Sequence, residues 1–331
     1  MTKKLFIVCA ALVWTVALVA QNISVVAANG STKLYRTLQT AIEGADPNSV
    51  IYLPGGGFSI DDSVKITKKL TIIGIGHKAK NDNADGVTTI SGNLFFNEGS
   101  SSSAVMGCYI TGDVNIGEGG AVVNDVLIKF CNLNSIQVKN STCQETVVNQ
   151  NFIRSNSEFN STNGLIHNNI TYSLSGVKGG RITYNIITAS VFAYTPGYTR
   201  YYSSIKADES IIANNILISR NNAGYLYGSN CSINHNMTQD DWGDYCINIG
   251  EVDWNDVFVN YNGGVISPIS DFHFKEAYKQ YENQVGIYAG DGFNDKQLAP
   301  VPYIVAKKID EQTDAAGKLN IKIRVKASGE E

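Results

Sequence analysis

The sequence is poor in proline, in histidine and in clustered positive charge, and it has no long apolar run after its first twenty residues. Its 331 residues include 6 prolines and 4 histidines, and the histidines show no metal-ligand spacing. No cluster of lysine and arginine is present that would follow a phosphate backbone, so we expect no nucleic-acid partner. The 17% of charged residues and the formal net charge of −4 exclude a charge-extended, disordered chain.

Glycine, by contrast, is abundant at 31 residues, and asparagine, serine and threonine recur throughout. This composition suits many short strands joined by tight turns better than it suits a bundle of helices. The length is sufficient for a sizeable core. We therefore expect an all-β fold.

The N-terminus has the pattern of a secretory signal. Lys3 and Lys4 precede an apolar run, Leu5 to Ala20, which only Thr15 interrupts. A membrane-spanning helix needs about 20 apolar residues, so a signal peptide over residues 1–20 is the better interpretation. We predict an exported protein that is periplasmic, cell-surface or secreted, with no transmembrane segment in the mature chain.

The cysteines do not form a recognisable framework. Cys9 leaves with the predicted signal, and no CxxC pair is present among the rest. An odd number without such a pair argues against disulfides and against zinc, so we expect buried, small hydrophobic side chains. The five remaining cysteines are Cys108, Cys131, Cys143, Cys231 and Cys246.

One short pattern occurs six times: an aliphatic residue, two further residues, an asparagine and an apolar residue. The asparagines are separated by 18, 16, 30, 21 and 24 residues. We interpret Asn132-Leu133 as an earlier, degenerate copy of the pattern, in which Lys129 takes the aliphatic position. The six copies are Val148-x-x-Asn151-Phe152, Ile166-x-x-Asn169-Ile170, Ile182-x-x-Asn185-Ile186, Ile212-x-x-Asn215-Ile216, Ile233-x-x-Asn236-Met237 and Val257-x-x-Asn260-Tyr261.

Repeats of this length predict a solenoid, in which each unit buries its apolar face by stacking on its neighbours. The units contain no helical run, and their short segments are rich in Ile, Val, Thr and Tyr, so one coil of a parallel β-helix per repeat is expected. Asparagine suits a sharp bend because it tolerates the left-handed conformation. Its amide can also bond the equivalent amides of neighbouring coils, which forms a ladder.

The segment before the repeats has further features of this kind. Residues 35–42 (YRTLQTAI) predict a short amphipathic helix, and residues 49–55 (SVIYLPG), 63–66 (SVKI) and 70–76 (LTIIGIG) predict strands. With the asparagine turns, these motifs resemble the pectate-lyase-like right-handed parallel β-helix superfamily and uncharacterised exported bacterial members of that fold. The resemblance covers roughly residues 21–290 and implies a right-handed solenoid with an N-terminal capping helix.

Residues 291–331 differ from the repeats. Beyond Pro300 and Pro302, apolar residues alternate with polar and basic residues from Leu319 to Ala327. Period two predicts a strand with one buried face and one wet, basic face. We expect a C-terminal strand pair that covers the open end of the solenoid, because an uncovered end exposes core and unpaired edges. The alternative is a docking strand for a partner.

The longest repeat contains an aromatic insertion, VFAYTPGYTRYY, at residues 191–202. In the superfamily that the chain resembles, the substrate cleft lies along the first strand of each coil, beside the loop before it, and this insertion falls in such a loop. Aromatic rings pack on sugar faces. The predicted polysaccharide-binding residues are Tyr194, Tyr198, Tyr201 and Tyr202, with Arg200 available for a carboxylate. The alternative is that the rings pack on the side of the solenoid.

The same register places further polar and aromatic residues on this face. Lys178, Arg200 or Lys206 is the candidate base of a lyase, because a cationic side chain with a lowered pKa can abstract a proton. The segment DDWGD suits either calcium in a lyase or the paired acids of an inverting glycosidase, and otherwise it is a solvated turn. No cofactor is assigned apart from that calcium option. The remaining candidates are Tyr225, Tyr227 and Trp242 for binding, and Asp240, Asp241 and Asp244 for catalysis.

The diagnostic motifs of the superfamily's enzymes are missing from the sequence. There is no Asn-Thr-Asp, His-Gly or Arg-Ile-Lys of polygalacturonases, and no Trp-Ile-Asp-His or Arg-x-Pro-x-x-Arg of pectate lyases. We therefore expect a monomer that binds polysaccharide along one solenoid face. One alternative is a lyase or glycoside hydrolase that acts on a glycan containing uronic acid. The other is a structural or adhesive surface protein.

Overall fold

The computed structural model describes most of the chain after residue 21. The described residues are 22–78, 86–188, 205–218, 226–239, 245–261, 269–298, 302–310, 312–313 and 316–326, with the backbone of 194–195 and 198–199. The predicted signal peptide, residues 1–20, lies outside them and stays a prediction. None of the helices in these ranges is long and apolar enough to span a membrane.

Most strands belong to three sheets, which we name A, B and C. Sheet A has the order β2 (Thr32–Tyr35), β1 (Ile23–Val26), β3 (Ser49–Leu53), β5 (Leu70–Gly74), β8 (Ala104–Met106), β11 (Leu127–Lys129), β14 (Val147–Asn149), β17 (Leu165–His167), β20 (Arg181–Thr183), β25 (Ile211–Ala213), β28 (Ser232–Asn234). Sheet B has the order β4 (Gly56–Ser59), β6 (Thr88–Ser91), β9 (Tyr109–Ile110), β12 (Asn132–Leu133), β15 (Phe152–Ile153), β18 (Ile170–Thr171), β21 (Ile186–Thr188), β26 (Ile216–Ile218), β29 (Met237–Thr238), β30 (Ile247–Asn248). Sheet C has the order β7 (Leu94–Phe96), β10 (Val114–Ile116), β13 (Ile136–Val138), β16 (Ser157–Thr162), β19 (Leu174–Lys178), β24 (Ile205–Asp208), β27 (Leu226–Ser229).

From β5 to β27 the chain visits the three sheets in turn, so that each of these coils supplies one strand to each sheet. Strands β8, β9 and β10 lie in A, B and C, and β11, β12 and β13 form the next coil. Neighbouring coils pair in parallel, whereas β1 pairs antiparallel with both β2 and β3 at one edge of sheet A. The all-β prediction is confirmed, and the stacked parallel strands are consistent with a parallel β-helix.

The inner core is built from one register-matched row in each sheet. In sheet A the central residue of each three-residue strand from β8 to β25 is fully buried, and side chains of sheets B and C, such as Leu133 and Ile136, join the same cluster. Parallel pairing aligns these residues coil upon coil. In sheet A the row includes Val105, Ile128, Val148, Ile166, Ile182 and Ile212.

The predicted asparagine ladder is present at the turn between sheets A and B. The Nδ2 of each asparagine donates to the Oδ1 of the next at 2.9–3.0 Å, and every member is buried. The amides also donate to backbone carbonyls, so the row satisfies its hydrogen bonds inside the core. The ladder consists of Asn151, Asn169, Asn185, Asn215 and Asn236.

The sequence pattern predicted the left-handed conformation at the ladder asparagines, and this prediction is wrong. The residue before each ladder asparagine adopts it instead. These preceding residues have φ between 53° and 58°. The ladder side chain must point into the core, so the bend falls one residue earlier and the bent residue points outward. We name this outward row the left-handed row; it contains Gln150, Asn168, Tyr184, Asn214 and His235.

Two copies of the repeat were also placed wrongly. The backbone N–H of Cys131 donates to Asn151 Oδ1 at 2.8 Å, so Cys131 and not Asn132 occupies the ladder position of the early copy. The pattern around Asn260 lies outside the coil stack, in strand β31 (Phe258–Asn260), which pairs antiparallel with β32 (Asp271–Phe274). The thiol of Cys131 donates to the carbonyls of Val105 at 3.7 Å and Lys129 at 3.3 Å, which are the positions that the ladder amides bond in later coils.

A second hydrophobic core covers the outer face of sheet B. The residue directly after each ladder asparagine packs outward, against residues between 254 and 293 that include the helix Trp254–Val257 and strands β31 and β32. Strands with apolar side chains on both faces are typical of sheets that are buried on both sides. The outward residues of sheet B in this core are Phe152, Ile170, Ile186, Ile216 and Met237.

Residues 284–298, which we name the strap, follow a 3-10 helix (Glu276–Tyr281) and run back along the left-handed row. Asn214 Nδ2 donates to the carbonyl of Gln284 at 2.8 Å, and Asn168 Nδ2 donates to that of Ile287 at 2.8 Å. Farther along the strap, His77 Nε2 lies 3.1 Å from the side-chain oxygen of Gln297. The strap therefore spans the stack from β25 back to β5.

The predicted N-terminal helix is present as Leu38–Gly44. Thr37 is its N-cap, and its hydroxyl accepts a hydrogen bond from the backbone N–H of Thr40 at 3.2 Å. Leu38, Ala41 and Ile42 are buried in the inner core. Its function as a cap of the solenoid stays a prediction.

The predicted C-terminal strand pair is present as β33 (Tyr303–Ile309) and β34 (Ile321–Lys326), an isolated antiparallel sheet. The predicted burial of one face is wrong, because Ile321, Ile323 and Val325 are 52%, 56% and 55% exposed. Alternation of apolar and polar residues shows that one face of a strand is apolar, but it does not show that another element covers that face. Coverage of a solenoid end by this tail stays a prediction.

Candidate functional site

Sheet C presents a row of mainly polar residues on its outer face. Parallel register places one member on each of its seven strands, and most of the residues that flank these members belong to the inner core. Neighbouring strands lie about 4.8 Å apart, so the row is about 29 Å long. It consists of Phe95, Asn115, Gln137, Glu158, Ser175 and Lys206, and the register continues to Tyr227, of which only the backbone is described.

Connections of unequal length flank sheet C on both edges. On the edge where strands of sheet B lead into sheet C, connections of two or three residues in the early coils become residues 189–204 before β24 and 219–225 before β27. On the opposite edge, the long connections are 97–103, 117–126 and 139–146, and the later coils use two residues. The aromatic insertion therefore belongs to the first of two successive long connections on one edge.

Lys178 and Lys206 lie on adjacent strands of this face. Register pairs Lys206 with Ser175 and Lys178 with Asp208, and both lysines are exposed. Lys178 Nζ lies 3.6 Å from Glu209 Oε1. Both ammonium groups are therefore open to a ligand on this face.

The aromatic loop contains a small antiparallel sheet that the sequence pattern did not predict. Strand β22 (Tyr194–Thr195) pairs with β23 (Tyr198–Thr199) in the register Tyr194–Thr199 and Thr195–Tyr198. The side chains of this loop, and that of Tyr227, lie outside the described part of the chain and stay predictions. The same holds for Arg200, Tyr201, Tyr202, Tyr225, Asp240, Asp241, Trp242 and Asp244 as whole residues.

The centre of the row was missed by sequence reasoning. Lys139 Nζ donates to Gln137 Oε1 at 3.1 Å, and Asn160 Nδ2 donates to Glu158 Oε1 at 3.2 Å, so both acceptors are oriented by neighbours on the same face. The available signal was a polar residue between two apolar ones, as in Ile136-Gln137-Val138. Connections of variable length hide the alignment of such triplets between coils.

A cluster of titratable side chains lies at the start of the strap, away from this row. His273 contacts the carboxylate of Glu282 through Nδ1, lies 3.6 Å from Asp295 through Nε2, and stacks on Tyr288 at 3.7 Å. Burial raises the pKa of Tyr288. Burial alone would raise the pKa of Glu282, but hydrogen bonds from Lys279 and His273 outweigh it and lower that pKa. These contacts fasten the strap to β32, which is a structural function.

No metal centre is found in the parts of the chain that the structure describes, where no group of three or more His, Cys, Asp or Glu side chains is arranged to hold an ion. The predicted calcium option depends on residues 240–244, which lie outside those parts. None of the five cysteines forms a disulfide; Cys108, Cys131 and Cys143 are buried, as predicted, and Cys231 and Cys246 are half-buried.

Comparisons with known proteins identify no relative of the chain. It matches no protein-family model, and no curated protein or solved structure is significantly similar to it. A functional assignment therefore depends on the fold and on the chemistry of the face of sheet C.

Proposed function

We propose that this chain is an exported, right-handed parallel β-helix protein that binds polysaccharide along the outer face of sheet C. The observation that carries the proposal is the row of amide, carboxylate, hydroxyl and ammonium groups at constant spacing on five successive coils. A polysaccharide presents its hydroxyls at regular intervals along an extended chain, so a regular series of donors and acceptors is complementary to it.

The connections on the edge of sheet C support the same assignment. The two long ones occur in successive coils, beside β24 and β27, and the first contains the aromatic cluster. Insertions on a regular scaffold are where binding residues concentrate. Tyrosine supplies both a flat apolar ring and a hydroxyl, which together suit a sugar.

A binding screen of the mature chain against a panel of soluble polysaccharides tests the proposal. Lys206→Ala should raise the Kd for the best ligand about tenfold or more, because a charge-assisted hydrogen bond contributes about 1.5–3 kcal/mol. Lys33→Ala removes an exposed lysine from strand β2 of sheet A and should leave the Kd unchanged. Equal effects of the two substitutions, or no binding to any polysaccharide, would contradict the assignment.

An enzyme is the second candidate, favoured by the exposed Lys178 and Lys206 on adjacent strands of this face. Incubation with each bound polysaccharide distinguishes the two functions. Unsaturated products would identify a lyase, and new reducing ends without unsaturation would identify a hydrolase. Binding without either product supports the binding protein.

A further inference from the structure

A row of polar side chains lies on the outer face of sheet A, beside the strap. Parallel register places Lys129, Asn149 and His167 on the adjacent strands β11, β14 and β17, about 4.8 Å apart. Each follows the buried central residue of its strand, so all three side chains point outward. Asp291 of the strap lies beside them, with Oδ2 3.8 Å from His167 Nδ1. We name these four residues the strap cluster.

The titratable groups of the strap cluster are close enough to act on one another. Burial lowers the pKa of Lys129, and the carboxylate of Asp291 opposes this effect without cancelling it. Burial also lowers the pKa of His167, which Asp291 raises and Lys129 lowers further, so the ring is neutral at pH 7. The ammonium of Lys129 has therefore lost water without gaining enough negative charge in its place.

Two groups of the strap cluster have no polar partner among the described residues. Asn149 is 7% exposed, and its Oδ1 accepts no hydrogen bond. Lys129 Nζ forms neither a hydrogen bond nor a salt bridge within the described ranges, and it lies 4.7 Å from the centre of the Phe130 ring. A buried acceptor without a donor costs free energy. The cluster therefore suits a ligand that brings a negative charge to Lys129 and a proton donor to Asn149.

The chemistry of the site requires that this donor be uncharged. A ligand ammonium at Asn149 Oδ1 would stand about one strand spacing, roughly 4.8 Å, from the ammonium of Lys129, and like charges repel at that distance. A hydroxyl donates the same hydrogen bond without that repulsion. A carboxylate with a hydroxyl on the adjacent carbon supplies both groups to neighbouring strands.

Apolar side chains border the strap cluster on the same face. Leu127 and Val147 lie two residues before Lys129 and Asn149 on the same strands, and both are partly exposed. Residues two apart on a strand share a face and lie about 6.6 Å from each other. A short hydrocarbon chain attached to the hydroxy acid reaches these side chains and gains from burial against them.

We propose that the strap cluster binds a small aliphatic α-hydroxy acid, at a site separate from the face of sheet C. The carboxylate bonds Lys129 Nζ, the hydroxyl donates to Asn149 Oδ1, and the hydrocarbon chain lies on Leu127 and Val147. The side chain of Asp291 is 76% exposed, so the site is open to solvent at the margin of the strap. The proposal does not depend on the polysaccharide assignment.

An amide NMR titration of the mature chain with three compounds of one carbon skeleton tests the site. The compound α-hydroxyisocaproate should bind and shift the amides of β11, β14 and the strap. Isocaproate lacks the hydroxyl and leucine has an ammonium in its place, so each should bind at least about threefold more weakly. Equal binding of the three compounds, shifts elsewhere only, or no binding would overturn the proposal. In the last case a water molecule would be the partner of Asn149.

Substitutions separate the two polar contacts. Lys129→Met keeps the aliphatic stem without the charge and should raise the Kd for α-hydroxyisocaproate about tenfold or more. Asn149→Ala should raise that Kd about threefold or more and leave the Kd for isocaproate unchanged, because isocaproate does not use the amide oxygen. Lys33→Met, on strand β2, is the matched control and should change neither Kd. Equal effects of Lys129→Met and Lys33→Met, or equal losses for both acids in Asn149→Ala, would overturn the proposal.

Discussion

His77 makes the attachment of the strap sensitive to acid. The ring is buried where the strap ends, bonded to Gln297 through Nε2 and packed edge-on against Phe152 at 5.4 Å. Burial lowers the pKa of His77 from 6.5 to about 4. Between these two values the unfolded chain binds a proton that the folded chain excludes. The free energy of unfolding therefore falls as the pH falls through this range.

The magnitude follows from the difference between the two pKa values, 6.5 minus 4, or about 2.5 units. At 1.36 kcal/mol per unit, the full loss below pH 4 is about 3.4 kcal/mol. At pH 5 nearly all unfolded chains carry the proton and most folded chains do not, so the loss relative to pH 7 is about 2 kcal/mol.

Urea denaturation at pH 7 and pH 5 measures this loss. His77→Gln does not titrate, and its amide can still bond Gln297, so wild type should lose about 2 kcal/mol more than this variant. His235→Asn, which removes an exposed histidine of the left-handed row, should lose as much as wild type. Equal losses in wild type and His77→Gln would refute the reasoning, because the acid sensitivity would then belong to other groups.

Two further predictions concern the strap and the buried thiols. Gly286→Ala places a Cβ 2.4 Å from Ile216 Cδ1 at a φ of 74° and should lower the free energy of unfolding by about 2–4 kcal/mol; Gly292→Ala, at 73° with open space around it, should cost about 1 kcal/mol. Thermal denaturation of the two variants measures both losses of unfolding free energy. Equal losses would contradict the close packing of the strap at Gly286 against Ile216. Cys108 and Cys131 should resist a thiol reagent until the chain unfolds, because burial raises the pKa of both, that of Cys131 to about 12. Since unfolded thiols ionise near pH 9, the free energy of unfolding should also fall above that pH; rapid labelling at pH 8 or constant stability up to pH 10 would contradict this.

The coil repeat is visible in the sequence because a buried side-chain amide must have all of its hydrogen bonds satisfied. Asn151 and Asn169 must bond each other and the backbone, so the same residue type recurs at the same turn. The pattern also matched at Asn260, where an asparagine has the expected apolar neighbours but lies in β31, outside the coil stack. It also missed Cys131, because a thiol fills the ladder position without the chemical signature of an amide.

The covering of sheet B was visible in the sequence but not interpreted. Ile186 and Ile187 are adjacent apolar residues in one strand, and one packs in the second core while the other packs in the inner core. Adjacent apolar residues predict burial on both faces. The identity of the covering segment was not predictable, because residues between 254 and 293 share no repeat with the strands that they cover.

The candidate face was predictable only in part. Lys178 and Lys206 were assigned to one surface from the repeat spacing, and the structure places them on adjacent strands. Gln137, Glu158 and Ser175 were missed, because connections of two to sixteen residues separate the strands and no local pattern reports which residues become neighbours. Register between coils is a property of the assembled stack.

By itself, the sequence determined the local features: short strands, the asparagine turns, the N-terminal helix, the C-terminal strand pair and the position of the aromatic insertion. Each depends on residues close in the chain, whose conformation follows from local sterics and hydrogen bonding. The tertiary structure alone decided which faces are covered. Gln297 of the strap bonds His77, which lies 220 residues earlier in the chain. Contacts between such distant segments bury the outer face of sheet B, whereas the hairpin and the polar row of sheet C stay exposed.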